Sequence, residues 1–226
     1  MERKIIVPGE TIMTGEEFLP GNGTRREGKD IVASRFGLVD ISEKLIRVIP
    51  LSGVYIPRRG NTIIGQVIDV NFSGWMIDFN GPANGFITLG EFPGYVNKDE
   101  MRDRLDFGDM VVAKIVNTSG KSIDLTLKMR GLGRIDDGMI IKINPNKVPR
   151  VIGKEGSMVT TIKEITRAEI TVGQNGLISI EGKTIEDELN TKKIIEFICN
   201  NSYVEGLTER IKEYAEKELK IGEKDE

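Results

Sequence analysis

The amino-acid sequence predicts a multidomain β and α+β protein with a small N-terminal β domain, a five-stranded barrel and a C-terminal α+β domain. Short β-type runs separated by glycine and proline turns fill residues 1–130. Apolar positions then change to helical spacing over much of residues 131–226. The predicted domains are therefore residues 1–57, 58–130 and 131–226.

Composition excludes several classes of function. The chain has one cysteine, Cys199, and no histidine, which rules out an internal disulfide, a zinc site of Cys and His ligands, and histidine-based acid–base catalysis. Composition does not exclude catalysis by Mg²⁺ bound to carboxylates. No apolar run approaches the ~20 residues of a membrane-spanning helix, and Pro8 interrupts the N-terminus too early for a signal peptide. We expect a cytoplasmic protein with no membrane partner, metal or cofactor.

The net charge is −3, and this value by itself argues against a nucleic-acid partner. The distribution of the charges along the chain matters more than their sum. Residues 140–183 carry seven Lys/Arg against four Asp/Glu, whereas residues 204–226 carry five against eight. The acidity is concentrated at the C-terminal end, where we predict a solvated helix. A nucleic-acid site is expected to be local and of modest affinity.

Residues 1–130 contain two groups of predicted strands. In the N-terminal domain the β-type runs are residues 31–34, 38–41 and 44–49. In the next domain they are residues 62–70, 74–79, 85–89, 110–118 and 122–127, with a loop or short helix at 98–105. Five short strands in about 70 residues predict a closed barrel of the oligonucleotide-binding (OB) type.

The C-terminal domain has the predicted order β-α-α-β-β-α. The predicted strands are residues 139–143, 169–172 and 177–181, and the last two are joined by a turn at 173–176. The predicted helices are marked by apolar positions at helical spacing, which are Val148, Val151 and Ile152, then Val159, Ile162 and Ile165, then Ile194, Ile195 and Ile198. Residues 207–219 extend or follow the last helix.

A G-x-x-G loop, Gly153-Lys154-Glu155-Gly156, lies between the first two of these helices. The motif is weak in isolation, because glycine pairs are common in turns that have no function. Between two helices, glycines allow the backbone to approach phosphates, and the following helix presents free N–H groups. In this context the domain resembles the eukaryotic-type (type I) KH domain, whose loop clamps four nucleotides. The resemblance implies RNA binding by the loop, with Arg150 and Lys147 adding positive charge.

The barrel segment resembles the S1 domain, an RNA-binding OB fold. The matching stretches are residues 65–67, 71–76, 85–87, 108–112 and 123–128. The resemblance implies that Phe72, Trp75 and Phe86 stack on bases, and Lys114 and Lys128 are further candidates. The family often has histidine where Thr88 stands, so one usual contact is missing. For each aromatic the alternative is a place in the barrel core, and we expect Phe79 and Phe92 to be structural.

Nearly the whole chain, except about residues 220–226, resembles the ribosomal RNA-processing protein four family of the archaeal exosome. The N-terminal domain, residues 1–57, which we also call the leader, supports the match through residues 6–10, 23–26, 31–39 and 48–57. The resemblance implies a non-catalytic, RNA-binding cap subunit without catalytic residues of its own. Such a subunit captures single-stranded RNA and guides it into a phosphorolytic ring for 3'-to-5' degradation or processing. It forms a trimeric cap, alone or mixed with a zinc-ribbon cap subunit. The ring is a hexamer built from two kinds of ribonuclease-PH-like subunit. The leader docks on this ring.

Two alternatives belong to other classes. Polynucleotide phosphorylases contain KH and S1 domains in the opposite order and after long catalytic domains, for which 226 residues leave no room. A transcription factor of the NusA type has S1 before KH, but it carries a second KH domain. This sequence has one G-x-x-G in the right context. The NusA-type factor is the main alternative.

Overall fold

The computed structural model describes residues 4–119, 122–202 and 206–219. The chain divides into two compact units, Met1–Gly53 and Val54–Glu226. The first unit holds the N-terminal strands, and the second holds both the barrel and the C-terminal α+β domain.

Within residues 4–53, the described part of the N-terminal unit, there are seven short strands. They are β1 (Ile5–Ile6), β2 (Thr11–Thr14), β3 (Leu19–Pro20), β4 (Thr24–Glu27), β5 (Asp30–Ala33), β6 (Gly37–Ser42) and β7 (Leu45–Pro50). One sheet has the order β1-β6-β7-β3 and the other β2-β5-β4. Ile6, Ala33 and Val48 form the buried core. The predicted strands at 31–34, 38–41 and 44–49 are confirmed as β5 to β7. The first four strands were not predicted, because β1 and β3 have only two residues each, β2 has two apolar residues and β4 has none.

The barrel closes through five strands and gains a sixth at its edge. The strands are β8 (Thr62–Asn71), β9 (Gly74–Asp78), β10 (Gly85–Thr88), β11 (Met110–Asn117), β12 (Ile123–Thr126) and β13 (Gly133–Ile135). The order β12-β10-β9-β8-β11 is closed by pairing of β12 with β11, and β13 adds to β11. The predicted five strands and the barrel are confirmed, and β13 was not predicted. The predicted loop or short helix at 98–105 is a 3₁₀ turn, Lys98–Glu100, followed by helix α1 (Met101–Arg104), and a further 3₁₀ turn, Leu89–Glu91, follows β10.

The barrel core depends on inward-facing residues at alternate positions. Trp75 and Ile77 on β9 and Ile87 on β10 are fully buried. Gly74 turns the chain tightly into β9, where a Cβ atom would overlap the carbonyl oxygen of Ile87; no other residue fits there. Tyr55 also packs into this core, so the segment just before β8 folds with the barrel.

The C-terminal domain has the predicted order β-α-α-β-β-α, which is confirmed. Its elements are β14 (Met139–Lys142), α2 (Val148–Ile152), α3 (Ser157–Thr166), β15 (Glu169–Val172), β16 (Leu177–Glu181) and α4 (Ile185–Asn200), and a further helix, α5 (Leu207–Glu218), follows α4. The sheet has the order β14-β16-β15, and the helices pack on one of its faces. Of the predicted acidic C-terminal helix, α5 lies within the described residues, and residues 220–226 lie outside them.

The barrel and the C-terminal domain are joined by the β15–β16 turn. The Asn175 side chain accepts a hydrogen bond from Ile64 N–H (3.2 Å) and donates to the Ile64 (2.7 Å) and Phe79 (2.8 Å) carbonyls. Next to it, Gln174 exchanges two hydrogen bonds with the backbone of Thr62. Strand β9 does not extend alongside Thr62 and Ile64, so the turn supplies hydrogen-bond partners that a neighbouring strand would otherwise provide.

An apolar cluster completes this contact. Ile64 and Val112 of the barrel pack with Leu177 of the C-terminal domain, and Ile140 packs against them. Asn175 itself is only 3% exposed. Buried hydrogen bonds in an apolar setting are costly to break, so the barrel and the C-terminal domain hold one relative orientation.

Over the described ranges, no helix is long and apolar enough to cross a membrane.

Candidate nucleic-acid interface

The G-x-x-G loop has a backbone that depends on its glycines. Gly153, Glu155 and Gly156 have φ values of +75°, +54° and +83°. A Cβ atom on Gly153 would lie 2.7 Å from the Met158 nitrogen, so a side chain there would force the loop apart from α3. The loop therefore turns tightly into the start of α3, where Gly156 provides no side-chain cap and the Ser157 N–H donates to the Lys154 carbonyl. The start of a helix favours an anion through its remaining N–H groups and its dipole.

Of the three predicted cations, Lys154 lies in this loop and Arg150 lies beside it. Arg150 and Lys154 are exposed and line one groove together with Gly153, Ser157 and the first residues of α5. Lys147 is half-buried and does not line that groove. Its charge acts instead on Cys199, whose pKa is raised mainly by burial and lowered to a smaller extent by Lys147. The structure brings Arg150 and Lys154 together and leaves Lys147 apart.

The three barrel aromatics have three different environments. Phe72, in the turn between β8 and β9, is 82% exposed. Phe86 is half-buried on the outer face of β10, between Met76 of β9 and Asp124 of β12. Trp75 is fully buried, and its indole N–H donates to the Leu105 carbonyl at 2.9 Å. A base can reach Phe72 and the exposed part of Phe86.

The prediction that Trp75 stacks on a base conflicts with this burial. Its ring packs against Phe92, with ring centroids 5.3 Å apart. Alternation along β9 directs Trp75 and Ile77 inward and Met76 outward. We therefore place Trp75 in the core, and Phe79 is fully buried as well.

The two barrel lysines both remain accessible. Lys114 is half-buried on β11, and its neighbours in register are Thr62 on β8 and Thr126 on β12. Lys128 is exposed just after β12. Thr88, at the position where the S1 family often has histidine, is exposed at the end of β10. These residues are open to solvent, but they are spread over several strands.

Sequence reasoning missed the residues that join the two modules. Asn175 lies in a Gly-Gln-Asn-Gly turn, and such residues are ordinarily explained by turn geometry alone. Its burial depends on contacts more than 90 residues away in the chain, which local patterns do not report. Among the described residues, no three His, Cys, Asp or Glu side chains are grouped so as to hold a metal ion.

A closed OB-type barrel joined to a type I KH domain defines a class of protein that binds single-stranded nucleic acid. Residues 138–197 match the KH domain model, and residues 5–42 match the model described as exosome complex exonuclease RRP4 N-terminal region. The second match covers most of the N-terminal unit. This match therefore covers a part of the chain that lies outside the barrel and the KH domain.

Curated relatives match almost the whole chain. Exosome complex component Rrp4 from Methanothermobacter thermautotrophicus is 39% identical over 94% of this chain and 68% of its own length. The component from Nitrosopumilus maritimus is 36% identical over 96% of this chain and 97% of its own. A crystal structure of a protein assigned as an exosome complex RNA-binding protein superimposes with a TM-score of 0.66 at 35% identity, covering 75% of this chain and 99% of the other.

The chain belongs to the Rrp4 family of exosome complex components. It is accordingly a component of the exosome, an RNA-degrading assembly, and not a transcription factor of the NusA type.

Proposed function

We propose that this chain captures single-stranded RNA for the exosome and hands it to a phosphorolytic ring that degrades RNA from the 3' end. The observation that carries this proposal is the G-x-x-G loop with its exposed Lys154, preceded by the exposed Arg150, in a chain of the Rrp4 family. The chain itself is a non-catalytic binding subunit, located in the cytoplasm. It forms a cap of three copies, alone or mixed with a zinc-ribbon subunit, on a hexamer of two ribonuclease-PH-like subunits.

Two surfaces contribute to RNA binding in this proposal. The KH loop holds phosphates through Gly153, Lys154, Glu155 and Gly156, with Arg150 beside them. The barrel offers Phe72 and Phe86 for stacking and Lys114 and Lys128 for phosphates. Because Asn175 and its neighbours fix the barrel against the KH domain, the two surfaces keep a constant spacing along one RNA strand.

Binding should be selective for single strands and sensitive to salt. If about two to four phosphates are neutralised, log K falls against log[salt] with a slope of about −1.4 to −2.8. Fluorescence anisotropy with a labelled single strand, and with the same strand annealed to its complement, measures both properties. A slope near zero, or equal affinity for the duplex, would contradict the proposal.

The N-terminal unit is proposed to dock on the ring. One row across its first sheet aligns Ile5, Leu38 and Ile49 on adjacent strands. Ile5 and Ile49 at the two ends are 52% and 44% exposed, and Leu38 between them is buried. Exposed apolar side chains aligned on a sheet are typical of a protein-binding surface. The match of this unit to the RRP4 N-terminal model supports the same assignment.

Removing the N-terminal unit should abolish association with the ring and leave RNA binding intact. A truncated chain that begins at Val54 keeps Tyr55 in the barrel core, so we expect RNA affinity within about twofold of the full chain, while co-sedimentation with ring subunits is lost. The matched full-length variant is Ile5→Glu with Ile49→Glu, which places charge on the same row. Retained co-sedimentation by both proteins would move the docking surface to the barrel or the KH domain.

A further inference from the structure

A turn at the start of the barrel presents two arginines that no function described above uses. Arg58 and Arg59 lie in a turn closed by a hydrogen bond from Asn61 N–H to the Arg58 carbonyl (3.0 Å). Gly60 has a φ of +87°, and its N–H donates to the Ile115 carbonyl at 2.8 Å. The turn is thus tied to β11.

The other side of the turn is anchored in the core. Tyr55 is 6% exposed, and its hydroxyl donates to the Asn61 side chain at 2.8 Å. Burial raises the pKa of Tyr55, and the charge of Arg58 opposes that rise to a lesser extent. The backbone that carries both arginines is held in place before any ligand binds, so binding costs little ordering entropy.

Both arginines are available to an anion. They are exposed, and within the described part of the chain neither forms an ion pair with a carboxylate. Arg102, by contrast, pairs with Asp106 at 3.1 Å. Two adjacent guanidinium groups can contact consecutive phosphates, since the planar fork of arginine matches phosphate oxygens.

The charge of the barrel differs between its ends. The arginine turn lies at the start of β8, next to the end of β11, and Lys114 lies on β11 opposite Thr62. The segment that leads from the end of β10 to the start of β11 carries three basic side chains, Lys98, Arg102 and Arg104, against six acidic ones, which are Glu91, Asp99, Glu100, Asp103, Asp106 and Asp109. A polyanion is therefore attracted to the arginine end and repelled by the other.

The arginine turn also adjoins the junction with the KH domain. Thr62, three positions after Arg59 in the sequence, exchanges two hydrogen bonds with Gln174 of the β15–β16 turn. A single-stranded RNA that crosses the barrel at this end therefore reaches the KH domain at the junction.

We propose that Arg58 and Arg59 form a phosphate-binding site for single-stranded RNA at the barrel end next to the KH junction. This site rests on the proposed function and adds to it a place where RNA is held between the barrel and the KH domain. The ligand is the sugar–phosphate backbone, so the site does not select bases.

The test compares two double charge reversals in the full chain. Arg58→Glu with Arg59→Glu removes the site, and Lys98→Glu with Arg104→Glu makes the same change in charge at the acidic end, where both residues are exposed and form no ion pair within the described ranges. Anisotropy with a labelled single-stranded RNA is measured over a series of salt concentrations. We expect at least about a tenfold loss for the first variant, with a salt slope shallower by about 1.4 for two phosphates. The control should lose less than about twofold.

The outcomes separate this site from the function on which it rests. Equal losses in both variants would mean a general charge effect and would overturn the site. Unchanged affinity of the arginine variant, whether or not ring association is lost, would overturn it while leaving RNA binding intact. Failure of the unmodified chain to bind single-stranded RNA would defeat the proposed function itself. Arg58→Gln with Arg59→Gln, expected to lose about fivefold, replaces the first variant if thermal melting shows that it does not fold.

Discussion

Replacing Asn175 with alanine is expected to lower the free energy of unfolding of the second unit by about 2–4 kcal/mol. The substitution leaves the N–H and carbonyl of Ile64 and the carbonyl of Phe79 without their partner. Each buried polar group left unsatisfied costs about 1–3 kcal/mol, and entry of water recovers part of that cost. Urea unfolding followed by Trp75 fluorescence measures the change, because this ring is buried in the barrel core.

Gln174→Ala is the matched control for that substitution. Gln174 is half-buried, and its side chain accepts one hydrogen bond, from Thr62 N–H at 2.8 Å. Water can replace this acceptor, so the cost should stay below about 1.5 kcal/mol. If Asn175→Ala destabilises no more than Gln174→Ala, the buried amide does not hold the two modules together.

Replacing Lys154 and Glu155 together by aspartate is expected to weaken RNA binding by about tenfold. The change removes a positive charge from the phosphate-binding loop and puts a negative one in its place, and the salt slope should become shallower by about 0.7 for each phosphate lost. The melting temperature should stay nearly unchanged, because both side chains are exposed. Aspartate also tolerates the left-handed backbone that Glu155 adopts at φ +54°.

Glu155→Asp alone is the control for the loop, since it keeps the charge and the backbone conformation. Its affinity should equal that of the unmodified chain. If the double variant also binds RNA with unaltered affinity, this loop does not contact RNA, and the barrel is then the binding surface.

Much of the fold could be predicted from the sequence, because long elements carry strong periodicity. The five barrel strands and the KH order follow from apolar alternation and helical spacing, and they agree with the structure. Strands of two residues such as Ile5–Ile6 carry no such signal. Strand β13 has only three residues, and it forms through its pairing with β11.

The candidate site was harder to predict, because solvent exposure depends on the fold. Phe72 and Trp75 come from the same motif, yet one is 82% exposed and the other is fully buried. The alternation of Trp75 and Ile77 in the segment 74–78 could have placed Trp75 inward. In the sequence, Arg58 and Arg59 look like residues of an ordinary exposed turn. The structure adds that their backbone is fixed by hydrogen bonds and that they lie at the end of the barrel away from the acidic segment.

The proposed function is that this chain delivers RNA to a catalytic ring without cutting RNA itself. Its most direct test is the shortening of a labelled single-stranded RNA by purified ring subunits with phosphate, measured over a range of RNA concentrations with and without this chain. We expect the chain to lower the KM for RNA by about tenfold with little change in kcat, because binding energy shared by substrate and transition state acts on KM. The chain incubated without the ring should leave the RNA intact. An unchanged KM, or shortening of RNA by the chain without the ring, would contradict this account.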